Sequence, residues 1–170
     1  LIRSLLDISH LEAGHPLTDM RFAEIAGLLE EAQEIIEPTL ERRRARLMLA
    51  IPDDIPPVYV DTDMIGRVFI NLLDNASKYT PEGKELTVTA QPTESPNGTI
   101  QISVSDQGEG IPPRYREVIF EKFRRIQGKN APKGLGLGLA FCRLAVEAHG
   151  GTIWVDDAPR RWRALQLHPP

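Results

Sequence analysis

The chain has 170 residues, 41% hydrophobic and 26% charged, which is the composition of one globular domain with a real core, plus a fragment. A net charge of −4 gives no electrostatic case for nucleic acid, no apolar stretch reaches the ~18 residues of a membrane span, and no signal peptide is visible. Cys142 is the only cysteine, which excludes an internal disulfide and suits a reducing, cytoplasmic compartment.

The chain opens "LIRSLLDISHLEAGH", with Leu1, Leu5 and Ile8 at helical spacing and Ile2, Leu6 and Leu11 beside them. Gly14 and Pro16 stop this helix. It has nothing upstream to pack against and lacks a starting methionine, so the chain reads as a piece of something longer. Residues 17–22 are expected to be extended. Residues 23–45 are expected to form an amphipathic helix with Ile25, Leu28, Leu29, Ala32, Ile35 and Ile36 on its apolar side, kinked by Pro38. "ERRRAR" reads as a solvated helix end in preference to a binding patch.

"LMLAI" and "VYV" read as strands either side of the breaker "PDDIPP". Asp61 or Asp63 is placed to cap a helix running to Tyr79, with Ile65, Val68, Phe69, Leu72 and Ala76 on its buried face. "LTVTA" (86–90) and "TIQISVSD" (99–106) alternate at period 2, joined by a hairpin-type connection ending in Asn97-Gly98. An irregular basic stretch follows Gly110, then a helix from Gly138 to His149, a Gly150-Gly151 stop and the strand "TIWVD". In the strands Leu86, Val88, Ala90, Ile100, Ile102, Val104, Ile153 and Val155 share apolar faces. Thr87, Thr89, Gln101, Ser103, Ser105 and Thr152 form the polar ones. That pattern is a mainly antiparallel sheet with helices on one side.

Three segments carry the chemistry. In "GLGLGLAF" (134–141) the glycines stand directly before a helix, whose N-terminal N–H groups attract anions. The stretch lacks the spacing of a P-loop and the context of a dinucleotide fold. Taken alone, it is as well read as a flexible connector anchored by leucines. In "INLLDNASKY" (70–79) Asn71, Asn75 and Lys78 make a second stripe on their helix at i, i+4 and i+7. Carboxamide oxygens suit Mg²⁺, and lysine suits phosphate. A solvated polar face is the alternative. In "SDQGEGI" (105–111) Asp106 shares the parity of the inward residues, so its carboxylate aims at the apolar side. There it needs a donor, such as an adenine amino group, with Gly108 and Gly110 leaving room for a planar base. A plain Asx turn is the other reading.

Together these segments resemble the ATP-binding domain of sensor histidine kinases, in the GHKL ATPase superfamily. "NLLDNASKYT" looks like the asparagine box, "DQGEGIPP" the first glycine box, "IFEKFRR" the phenylalanine box and "GLGLGLAF" the second glycine box, in the right order. The resemblance covers about residues 17 to 156. It divides the chain into 1–16, similar to the end of a dimerisation and phosphoacceptor helical hairpin, and 17–170, the catalytic domain. The implied fold is an α/β (α+β) two-layer sandwich with a mixed, mainly antiparallel sheet and helices on one face.

The resemblance implies roles as well. Asn71 and Asn75 would hold Mg²⁺ and the phosphates of ATP, with Lys78 and Tyr79 flanking phosphates and sugar. Asp106 would accept from adenine, beside Gly108, Gly110 and Ile111. Residues from about Arg114 to Lys133 would be a mobile lid, with Lys122, Arg124 and Arg125 as candidate phosphate contacts. Gly134, Leu135, Gly136, Leu137, Gly138 and Leu139 would present N–H groups and a hinge. The implied partners are the protein's own dimerisation and phosphoacceptor domain, in a homodimeric parent, and a downstream response regulator. The resemblance is compatible with a membrane-bound parent, while this segment is expected to touch neither membrane nor nucleic acid.

The chain departs from the family pattern in two places. His10, His15, His149 and His168 all lie outside a phosphoacceptor motif, so no catalytic histidine is assigned and all four read as structural or solvated. The C-terminal "APRRWRALQLHPP" lacks the usual glycine-rich turn, though Leu165 and Leu167 suit a last strand, and Trp162 is either core or exposed. The hydrolases of the superfamily carry a glutamate base where this chain has Asn71, which cannot take a proton from water. That favours a kinase module over an ATP hydrolase, and four intact boxes speak against a module without nucleotide.

Overall fold

The computed structural model describes residues 2–94, 96, 98–125 and 134–156, together with the backbone of 162–167. Leu1, Asn97, Lys133, the 157–161 segment, His168 and the side chain of Trp162 lie outside the described residues, as do the expectations placed on them.

The elements run α1 (Ile2–Glu12), β1 (Met20–Ala23), α2 (Ile25–Arg42), β2 (Arg46–Ala50), β3 (Val58–Asp61), α3 (Thr62–Tyr79), β4 (Glu85–Pro92), β5 (Ile100–Ser105), α4 (Gly138–Ala148), β6 (Thr152–Val155) and β7 (Trp162–Leu167). Two single 3-10 turns, Pro113–Tyr115 and Val118–Phe120, interrupt the stretch between β5 and α4.

Five strands form one sheet in the order β2-β4-β5-β7-β6. Only the β2–β4 pair is parallel, and α3 lies in the crossover such a pair requires. The remaining pairs are antiparallel, so the sheet is mixed and mainly antiparallel, as anticipated. β7 enters between β5 and β6, setting Ile100 opposite Leu167 and Ile153 opposite Leu165. Helices α2, α3 and α4 pack side by side against this sheet, giving two layers. A separate two-stranded ribbon, β1 with β3, was not foreseen as a pair; Met20 faces Asp61 and Ala23 faces Val58.

The core lies between the layers. Phe69, Leu73, Ile65, Phe141, Leu86, Ile100 and Ile102 are among its largest fully buried side chains. Each apolar side chain of this size stabilises the fold by roughly 1.5–3 kcal/mol over exposure. The alternation expected of β4 and β5 holds on the inner face. On the other face Ser103 and Ser105 are nevertheless buried. They are short side chains on a strand flanked on both sides by β4 and β7, so neighbouring rows screen them.

Three expectations are corrected. Ile35, placed on the apolar side of α2, is 61% exposed. α2 ends at Arg42, before residue 45, because Arg44 takes the left-handed conformation at φ 50° and the chain turns into β2. Arg43 is not a solvated helix end: it is half-buried, and its Nη2 donates to the Thr80 carbonyl at 3.1 Å. α1 packs on the downstream helix α4, where Ile8 is 2% exposed. Its outer residues Ile2, Leu5 and Leu6 remain exposed.

Candidate functional site

α3 begins at an Asp61 cap whose carboxylate accepts from the Met64 amide at 3.1 Å. Its buried face is the one read from the sequence, with Leu73 and Ser77 added. Asn71, Asn75 and Lys78 share the neighbouring stripe and are all half-buried. Lys78 does not stand alone there: its Nζ lies 2.6 Å from Asp74 Oδ2 across one helical turn. Tyr79 is 41% exposed.

The end of α3 touches the 105–111 segment. A Cβ on Gly108 would stand 2.5 Å from the Tyr79 carbonyl oxygen and 2.9 Å from Asp106 Oδ1, so no other residue fits without movement. Asp106 is 4% exposed and does aim inward, but Oδ1 accepts the Gly108 amide at 2.9 Å. The two readings of this aspartate therefore coexist: an Asx turn uses one oxygen while the carboxyl group faces the interior. Gly110 has φ 79°, Ile111 is half-buried, and the Ile111 carbonyl accepts from Arg116 Nε at 3.2 Å.

The stretch after Val118–Phe120 returns to the second glycine-rich segment. The Phe123 amide donates to the Gly136 carbonyl at 2.9 Å, with Phe123 itself at φ 62°. Gly136 has φ 72°, and a Cβ there would stand 2.6 Å from the Arg124 carbonyl oxygen. Gly138 opens α4, and its Cβ position lies 3.3 Å from Asn71 Oδ1. This approach brings Asn71 of α3 against the first turn of α4. No side chain among the described residues caps that turn. Its N–H groups and partial positive charge therefore face the same space as the Asn71 carboxamide. Among the described residues nothing stands within 4 Å of a Cβ placed on Gly134; Leu135 is exposed, while Leu137 is buried and Leu139 half-buried.

Of the candidate cations, Lys122 Nζ is 2.7 Å from Glu12 on α1, and Arg124 pairs with Glu121 at 2.7 Å. Arg125 is exposed. The rest of the expected lid, 126–133, lies outside the described residues.

Three contacts around the site had no sequence signal. Arg143 lies over the Phe120 ring at 4.3 Å and pairs with Glu117 at 2.9 Å. Arg67 lies over Phe141 at 4.3 Å and pairs with Asp7 at 2.8 Å. His149, just past α4, accepts the Asp61 amide on Nε2 at 3.0 Å and faces the Ala145 carbonyl through Nδ1 at 2.6 Å. That pairing requires the neutral ring with its proton on Nδ1. Burial lowers its pKa below 6.5, more than the Ala145 carbonyl and the Asp61 charge raise it. Side chains separated by tens of residues leave no spacing to read, so only the fold reveals them.

The two-layer sandwich, the uncapped helix behind a glycine-rich turn and the asparagine stripe beside it define a nucleotide-binding ATPase module. Residues 60–170 match the family model described as histidine kinase-, DNA gyrase B-, and HSP90-like ATPase, and the chain belongs to this family. Within it, the chain is the ATP-binding catalytic module of a sensor histidine kinase. It is 39% identical over 146 residues to the adaptive-response sensory kinase SasA of Synechocystis sp., covering 86% of this chain and 38% of that protein. For the SasA of Thermosynechococcus vestitus the identity is 40% over 150 residues, covering 88% and 39%. The chain thus spans less than two fifths of the length of these relatives. Among solved structures, full-length ShkA in complex with AMPPNP superposes with a TM-score of 0.82 at 26% identity, covering 98% of this chain and 34% of that one. The mycobacterial sensor histidine kinase MprB gives 0.71 at 29% identity, covering 89% and 99%. Among the described residues no helix is long and apolar enough to cross a membrane.

Proposed function

We propose that this module binds Mg·ATP between α3, the 105–111 turn and the start of α4, and positions the γ-phosphoryl group for transfer to a histidine on a separate helical domain. The observation that carries the reading is the approach of Asn71 Oδ1 to within 3.3 Å of the Gly138 Cβ position; in this reading its oxygen and the N–H groups of the first turn of α4 meet the phosphates together. In this reading Asp106, whose Oδ1 also accepts the Gly108 amide, accepts from the adenine amino group. Lys78, Tyr79, Lys122 and Arg125 lie along the phosphates and sugar.

The donor set fits magnesium. Asn71 and Asn75 offer hard carboxamide oxygens one turn apart, and a metal held mainly by phosphates needs few protein ligands. Among the described residues there is no cluster of His, Cys, Asp or Glu that could hold a metal by itself. A bound magnesium ion supplies neutralisation of phosphate charge. The protein's own contribution is placement: N–H groups of the 134–138 segment toward phosphate, and exclusion of a general base, since Asn71 cannot deprotonate water.

Residues 1–16 are assigned to the end of the dimerisation and phosphoacceptor hairpin and 17–170 to the catalytic domain. The parent is a cytosolic-facing homodimeric kinase that passes phosphate to a response regulator. Supplied with labelled ATP, the chain alone acquires no phosphohistidine; mixed with a separate dimerisation domain carrying the acceptor, it transfers phosphate slowly, because the step has become bimolecular. Strong self-phosphorylation of the chain alone would overturn the assignment.

A further inference from the structure

We infer that Arg143 is a positioning residue for the phosphate end of the nucleotide, an inference that rests on the ATP-binding reading above. Arg143 lies five residues after Gly138, about 7.5 Å along the helix axis. Its guanidinium covers Phe120, which is only 5% exposed, at 4.3 Å from the ring centroid. Nη2 reaches Glu117 at 2.9 Å, and Nε lies 3.8 Å from Glu147. Phe120 is two residues before Lys122. Three residues further on, the Phe123 amide is bound to the Gly136 carbonyl. The short stretch carrying Lys122 is therefore pinned at both ends to the same body, the glycine-rich turn and the helix it opens. Gly136 makes the second pin through backbone; Arg143 makes the first through its side chain.

The stack, more than the ion pair, does the positioning. Glu117 is 80% exposed, so its pair with Arg143 is screened by solvent. The Arg143 side chain is 27% exposed and lies flat on a buried ring, where a planar, weakly hydrated cation is favoured. A lysine can keep the charge near Glu117 but cannot reproduce the planar contact. Loss of the stack frees the Phe120 end of the stretch. The cations behind it then meet phosphate with less prepaid order, while the adenine end, set by Asp106 and Gly108, is untouched.

The test compares the whole chain with Arg143→Met and Arg143→Lys, titrated with Mg·ATP and, separately, with adenosine, alongside thermal unfolding. Met keeps an apolar stem over Phe120, so folding is preserved as far as a substitution allows. Arg143→Met is expected to weaken ATP about three- to tenfold, between the worth of an exposed and that of a fully desolvated cation–π contact. Adenosine binding stays within about twofold and Arg143→Lys falls between. Equal losses for ATP and adenosine would show a general structural role and overturn the inference, as would unchanged ATP affinity in both variants. Should Arg143→Met fail to fold, Arg143→Lys alone decides by the same ratio. Failure of the unsubstituted chain to bind ATP would instead overturn the ATP-binding reading, and the inference with it.

Discussion

The Lys122 ammonium lies 2.7 Å from the Glu12 carboxylate, joining the stretch ahead of the second glycine-rich segment to helix α1. The pair is the last of three along that helix, after Arg3–Asp63 at 3.3 Å and Asp7–Arg67 at 2.8 Å. Ile8 is buried between them. A side chain considered for phosphate is thus held by a carboxylate of α1. Both partners are 43% exposed, so the contact is screened and each pair alone is weak.

Competition follows from that geometry. Glu12→Gln releases Lys122 for phosphate, and ATP affinity is expected to rise about two- to fivefold at low salt. The gain shrinks as ionic strength approaches ~1 M, where the Debye length falls to about 3 Å. Calorimetric titration at two salt concentrations reads both effects. An affinity that is unchanged at low salt would show that Lys122 does not reach the phosphates.

Asp106→Asn tests the adenine end. The substitution replaces an acceptor-only group with one that also donates, and a lost charge-assisted bond costs ~1.5–3 kcal/mol. ATP affinity should fall about tenfold to a hundredfold, and the preference for ATP over GTP should narrow. Unchanged affinity would leave the carboxylate serving only the Gly108 turn.

The glycines separate by geometry. Gly108→Ala drives a Cβ into the Tyr79 carbonyl, and Gly136→Ala drives one into the Arg124 carbonyl at a left-handed φ of 72°. Each is expected to destabilise by ~1–3 kcal/mol, as overpacking does, and to lower ATP affinity. Gly134→Ala meets no atom of the described residues and should be close to neutral. Urea unfolding of the three variants ranks them; a Gly134 variant as damaged as the other two would contradict the assignment.

His149 makes stability depend on pH. The folded state holds the ring neutral, with its pKa lowered below 6.5, so the unfolded chain binds the proton more readily. The contribution is therefore complete above about pH 6.5 and is lost as pH falls through the lowered folded value. Protonation also removes the acceptor for the Asp61 amide, at the residue that caps α3. The urea midpoint should fall from pH 7 to pH 5 in the parent chain, and less steeply in His149→Gln. Equal slopes would remove His149 from the account.

Much of this was legible because it is local. The period-2 strands, the α3 face and the Asp61 cap follow from neighbours in sequence, and the structure has them. The mainly antiparallel sheet followed from parity. What parity could not give was order: β7 inserts between β5 and β6, and β1 pairs with β3 across thirty-odd residues, choices made by packing. Ile35 misled because an apolar residue at helical spacing is not obliged to face the core. In the site, Asn71 and Gly138 were each singled out, but their approach could not be. The ion pair of Lys122 was invisible too, since a lysine shows its charge and not its partner, whereas the spacing of four between Asp74 and Lys78 was a signal that went unused.

The most direct test of the central claim is calorimetric titration of this chain with ATP, with and without Mg²⁺, and with Asn75→Ala in parallel. The account predicts saturable one-to-one binding that weakens when either the metal or the Asn75 carboxamide is removed. Absence of saturable binding would contradict it, and binding indifferent to both Mg²⁺ and Asn75 would contradict the role given to the asparagine stripe.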